Sequence, residues 1–185
     1  MVTLLIVADD FTGALDTGVK FAEYGAQVQV ITDYHYDFSN RQEEAEVLVV
    51  DAETRHLSSE QAYERVYRIV SGAMKAEIPY IIKKTDSALR GNIGSELTAA
   101  LEASGSGVLH FLPALPQMGR TTSDGRHYIE GIPVEESVFG RDPYDPVPCS
   151  DITELIGLQS EIEVRVISNG EPLEPQEATG RSIRR

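Results

Sequence analysis

Short apolar runs alternate with longer stretches whose apolar residues recur every three or four positions. Thr3 to Ala8 reads as a continuous buried strand of a parallel sheet. It runs into Asp9-Asp10-Phe11-Thr12-Gly13-Ala14, and a helix is predicted there with Leu15, Val19 and Ala22 on one inward face and Gly25 closing it. Val28 to Ile31 and Val47 to Val50 predict the second and third strands. Ser58 or Ser59 caps a helix to about Lys75 that turns Ala62, Val66, Ile69 and Val70 inward. Tyr80 to Ile82 is the next strand end. Ile93, Leu97 and Leu101, at i, i+4 and i+8, mark a helix to about Ala103, and Val108 to Leu112 is expected to return as a strand.

This alternation predicts an α/β fold, a mainly parallel sheet flanked by helices. Beyond Pro113 the pattern changes. Pro113 to Thr122 reads as loop. His127–Ile129 and Ile132–Val134 form a small β-hairpin insertion across Glu130-Gly131, and a Ser150-capped helix runs from Asp151 to about Leu158. Glu163 to Ile167 is expected as one more strand. Residues 1–168 form the predicted domain, and the polar, proline-bearing stretch 169–185 is expected not to pack.

Ligands of such sheets sit at the carboxyl ends of the strands. That rule sends Asp9, Asp10, Asp51, Arg55, Lys84, Asp86 and Ser87 to one edge. The net charge of −14 argues against nucleic acid and anionic membrane as partners, and no apolar run reaches membrane-spanning length. The single cysteine, Cys149, excludes an internal disulfide and fits a reducing, cytoplasmic setting. Against that acidic background, Lys83, Lys84 and Arg90 cluster with Thr85, Asp86 and Ser87 where a strand end meets a helix start. Free N–H groups and the positive pole of a helix dipole suit an anion there, although a solvated, self-paired charged loop reads equally well.

Asp9-Asp10 can bind Mg²⁺, act as base or nucleophile, or cap the following helix. Gly13-Ala-Leu-Asp-Thr-Gly18-Val19-Lys20 is not a phosphate-binding loop, because Val19 stands where that loop needs lysine, and no dinucleotide fingerprint is present. His35, His56, His110 and His127 lack metal-ligand spacing; His127, near Arg120 and Arg126, is the one of interest. Arg55 can grip a carboxylate with both arms or pair with Glu53 or Glu60.

Three segments together resemble the four-carbon acid sugar kinase family of threonate and 3-oxo-tetronate kinases: Ala8-Asp-Asp-Phe-Thr-Gly-Ala14, Lys83-Lys-Thr-Asp-Ser-Ala-Leu-Arg-Gly-Asn-Ile-Gly94 and Pro113-Ala-Leu-Pro-Gln-Met-Gly-Arg-Thr-Thr122. Asp51-x-Glu-Thr-Arg55, Tyr128, Gly131, Pro133 and Asp142-Pro143 accompany them, and Ala88 departs from the family's usual hydroxyl residue. The resemblance, over roughly residues 2 to 158, implies an N-terminal sugar-acid-binding domain. It implies Asp10 as the catalytic acid near the reacting hydroxyl, with Asp9, Arg55, Lys84, Asp86, Ser87 and Arg90 around the substrate. It also implies ATP and Mg²⁺ for the complete enzyme, held by a C-terminal domain that these residues lack. The chain therefore reads as a truncated form, inactive alone, with an ATP-binding domain or subunit as a possible partner in trans. Two rival readings are a phospho-accepting receiver-like domain using Asp51 and a stand-alone sugar-acid-binding module. A haloacid-dehalogenase-like phosphatase with Asp9 as nucleophile ranks behind, because Phe11 stands where it needs an aspartate.

Overall fold

The protein is described by a computed structural model covering residues 1–40 and 45–167. β1 (Leu4–Ala8) lies between β3 (Val47–Asp51) and β4 (Tyr80–Lys84), and β2 (Val28–Ile31) pairs with the far side of β3. All these pairings are parallel, in the order β2-β3-β1-β4. The register sets Ala8 level with Asp51 on one side and Lys84 on the other. Every loop that leaves a strand's carboxyl end therefore starts from the same height, and that alignment builds the site.

Helices cover both faces. α2 (Ser59–Lys75) and α3 (Ile93–Ser104) pack on one side, where Leu5, Val7, Leu48 and Val50 meet Val66, Ile69, Val70 and Ala99. α2 starts with a capping box between Ser58 and Gln61, and all four of its predicted inward residues are buried. α1 (Phe11–Glu23) covers the other side with a different face from the one expected. It buries Gly13, Ala14 and Gly18, whereas Leu15 and Val19 are exposed. Close approach is the reason: a Cβ on Gly18 would stand 3.4 Å from methyls of Val28 and Val30. A helix lying that near the sheet must present its smallest stripe to it.

A third cluster joins α3, through Ile93 and Leu97, to Ile129, Val134, Val147 and α4 (Ile152–Gly157). A Cβ on Gly94 would fall 2.4 Å from the Ile156 carbonyl, so glycine is what lets α4 seat there. The insertion is a three-stranded antiparallel sheet, β5 (Arg120–Ser123), β6 (Arg126–Ile129) and β7 (Ile132–Pro133), rather than a two-stranded hairpin. The missed strand is the one turned by Asp124-Gly125, both at positive φ, a dipeptide made for a tight hairpin.

Three further expectations change. Asp151, not Ser150, caps α4, its side chain accepting from Glu154 N–H. Residues 163–167 carry no regular structure. Val108–Leu112 carries no regular structure and pairs with no strand among the described residues, because β4 ends the sheet without it. The predicted tail 169–185 lies outside the described residues. Among the described residues no helix is long and apolar enough to cross a membrane.

Candidate active site

The carboxyl ends of β1, β3 and β4 bring Asp9, Asp10, Arg55, Lys84, Asp86 and Ser87 to one edge, and the loop after β4 adds Arg90. Arg55 is the centre. Its Nε donates to Asp9 Oδ2 at 2.8 Å and one terminal nitrogen lies 2.7 Å from the same oxygen. The other terminal nitrogen donates to Asp10 Oδ2 at 2.7 Å, and Asp86 Oδ1 stands 4.0 Å from the terminal nitrogen that pairs with Asp9. A guanidinium suits this role because its planar fork serves several carboxylates at once.

The backbone that aims Arg55 is held from below. The Asn92 side-chain amide donates to the carbonyls of Thr54 and Leu57, each at 2.9 Å. Gly91, at φ +86°, lies so close that a Cβ would meet the Arg55 carbonyl oxygen at 3.1 Å. Sequence reasoning missed Asn92 as a site residue, although it sits inside the quoted motif.

Asp10 also caps α1, its Oδ1 accepting from Gly13 N–H at 2.8 Å. The capping reading of Asp9-Asp10 holds for Asp10 Oδ1, while its Oδ2 pairs with Arg55. Asp86 is forked by Arg90, through Nε at 2.7 Å and a terminal nitrogen at 3.3 Å. Burial works against the Asp86 charge, but the Arg90 hydrogen bond and the charges of Arg55 and Arg90 prevail and hold its carboxyl below the usual range. Arg90 reaches on to Asp142 at 3.2 Å, which ties the loop after the small sheet to the site.

Lys84 differs from these cations. Its Nζ donates to the Thr85 carbonyl at 2.5 Å and stands 3.3 Å from where a Cβ on Gly13 would lie, beside the α1 N-terminus. It forms none of the ion pairs among the described residues. Lys83, its neighbour, points to the other face of the sheet and pairs with Glu96 of α3 at 2.7 Å, both side chains almost wholly buried. Burial pushes the Glu96 carboxyl up against the pull of Lys83, and nearby Asp9 adds to the rise. One oxygen each of Asp9 and Glu96, and the Thr54 hydroxyl, are buried without a hydrogen-bond partner. Lys83, Glu96 and Thr54 form the floor beneath Asp9. Glu96 carried no sequence signal beyond a helix position.

Ser87 is held by its carbonyl, which accepts from His127 Nε2 at 2.8 Å. A carbonyl only accepts, so Nε2 carries the proton and Nδ1 takes the Thr122 hydroxyl hydrogen at 3.0 Å. Burial pushes the His127 pKa below its ordinary value, despite the Ser87 carbonyl and Asp86. His127 is fully buried and anchors the small sheet to the 85–90 loop. Asp51 is 1% exposed and its carboxylate accepts from Glu53 N–H, closing off the acid that a receiver-like reading needs accessible. Among the described residues no group of three or more His, Cys, Asp or Glu side chains is placed to hold a metal ion.

A family model described as "Sugar-binding N-terminal domain" matches residues 4–184. The chain is 41% identical over 162 residues to a D-threonate kinase of Salmonella typhimurium, covering 87% of this chain and 38% of the relative. It is 31% identical over 168 residues to a D-erythronate kinase of Heliobacterium modesticaldum, covering 90% and 38%. A solved structure from Bordetella bronchiseptica, a domain of unknown function with bound citrate in a domain-swapped dimer, superposes with TM-score 0.80 at 34% identity, covering 84% of this chain and 40% of that one. The chain thus spans about two fifths of the length of these relatives.

Proposed function

The chain belongs to the family of sugar-binding N-terminal domains, and on that premise we propose that it binds a four-carbon sugar acid as the substrate-binding half of an ATP-dependent sugar-acid kinase. The observation that carries the reading is Lys84, an ammonium beside a helix N-terminus, in none of the ion pairs that hold the cations around it. The substrate carboxylate goes to Lys84 and the first N–H groups of α1. Its hydroxyls go to Asp86, Ser87 and Asp10. Asp10, partly exposed and held by Arg55, receives the proton of the reacting hydroxyl. Arg55 and Arg90, already engaged with acids, hold those acids in place. Relatives named for threonate, erythronate and 3-oxo-tetronate support the substrate class, and the citrate in the Bordetella relative is a small carboxylate.

ATP and its Mg²⁺ are assigned to the part of the relatives' length that this chain does not span. Asp10 gives one oxygen to Arg55 and the other to the α1 cap, and Asp9 is buried against Arg55. Without that remainder the chain binds substrate and does not phosphorylate it.

Calorimetric titration with threonate, erythronate and 3-oxo-tetronate tests the reading. Saturable binding of one of them is expected. Lys84→Ala should weaken it roughly 10- to 100-fold, the worth of one charge-assisted contact of about 1.5–3 kcal/mol. Equal affinity in wild type and Lys84→Ala would remove Lys84 from the site, and no binding by a folded chain would remove the function.

A further inference from the structure

We propose that the cleft between β4 and residues 108–115 receives an extended β-strand supplied from outside residues 1–185, which pairs with both backbone edges and completes the sheet. The inference rests on the backbone edges rather than on the ligand that the active site takes, although Asp10, Lys84 and Asp86 line the same cleft. Among the described residues β4 is the last strand of the sheet and pairs only with β1, so none of them covers its outer edge. Beyond it, residues 108–115 alternate position by position between exposed and half-buried. Leu109 and Phe111 pack against the apolar cores, while Val108 and Leu112 stand out. That period of two is the signature of a strand.

Yet Val108 to Ala114 make no hydrogen bond to the backbone of any other described residue. A single open cleft of about 1750 Å³ is lined by the whole of β4, by residues 108–115 and by Leu97, Ala100 and Ser104 of α3, and it runs on past the α1 N-terminus to Asp10, Arg55 and Asp86 of the candidate site. α3 is the crossover that brings the chain back beside β4. What it leaves is an opening in the plane of the sheet, floored by a helix.

The occupant follows from the chemistry of the two walls. Each wall carries backbone donors and acceptors that go unpaired by other backbone, over at least five residues. A helix has spent its own backbone groups, and a small molecule cannot match two such rows; an extended chain, about 4.8 Å from each neighbour, can. The exposed Tyr80, Ile82, Val108 and Leu112 call for apolar residues, β-branched or aromatic, in that strand. Its source is assigned to the portion that the relatives have and this chain does not span, since they are more than twice as long as the matched stretch.

The test titrates the whole chain with overlapping peptides of roughly twelve residues, long enough for one strand, tiling the part of Salmonella D-threonate kinase outside the matched stretch. Amide hydrogen exchange is read at Tyr80–Lys84 and Val108–Leu112. The expected result is one peptide that slows exchange in both segments together. Leu112→Asp, at a position 82% exposed, should weaken that peptide about tenfold without moving Tm. No protecting peptide, protection of one segment alone, or unchanged affinity in Leu112→Asp overturns the proposal. Protection already present in the dilute free chain overturns it in favour of a self-closed sheet. Protection that grows with the concentration of the chain alone overturns it in favour of a second copy.

Discussion

Lys83 and Lys84 are adjacent in sequence and opposite in use. A strand sends consecutive side chains to opposite faces, so Lys83 enters the layer between sheet and α3 while Lys84 meets the α1 N-terminus. The Lys83–Glu96 pair is buried at 2.7 Å, and its value lies in each charge having the other. Lys83→Met should cost about 3–5 kcal/mol, because it strands a buried carboxylate. Lys83→Met/Glu96→Leu should recover most of that loss, since an apolar pair of similar size carries no desolvation cost. Urea denaturation of both variants decides. A single variant as stable as wild type would mean that the pair contributes nothing. Clustered lysines were legible in the sequence, but not which of them is structural, because Glu96 lies outside any local motif.

At the level of elements, the small antiparallel sheet is fastened to the site loop by one histidine. Neutral His127 donates to the Ser87 carbonyl and accepts from Thr122 inside a buried layer. Its folded pKa lies below 6.5 while the unfolded chain titrates near 6.5, so the unfolded state takes up a proton first as pH falls. The stability this contributes is fully present above pH 6.5 and is lost as pH drops through 6.5 towards the lowered folded value. Wild type should lose up to about 1.4 kcal/mol per pH unit in that window beyond what His127→Gln loses. Carboxylates such as Glu96, raised by burial, titrate in both proteins and cancel in the difference. Parallel pH slopes for the two proteins would show that His127 is not the titrating group. Sequence reading singled out His127 by its arginine neighbours, whereas its partner is a backbone carbonyl 40 positions away.

For the whole molecule, the proposed ligand should act as a stabiliser by mass action. A tetronate at a hundred times its Kd adds about 2.7 kcal/mol. That is a rise in Tm of roughly 5–10 °C for a chain of this size. Lys84→Ala at the same ligand concentration should show little of it. An equal shift in both proteins would place the ligand elsewhere. The net charge of −14 makes such a site a local exception to the global field, and the fold creates it by stacking strand ends.

Strand and helix order, the acid pair after β1 and the cation cluster after β4 were readable from the chain alone, because periodicity and loop chemistry are local. The parallel α/β class followed, and with it the edge where the site residues meet. Which face α1 buries was decided by how closely it approaches the sheet, a distance that only packing sets. The third strand of the small sheet was written in Asp124-Gly125 yet masked by the polar Arg120–Ser123. Val108–Leu112 has a strand's pattern and no strand partner among the described residues, since backbone pairing depends on the neighbour and not on the segment. The partners of Arg55, Arg90 and Glu96 were likewise decided by tertiary contacts, because residues far apart in sequence supply the surroundings of each charge.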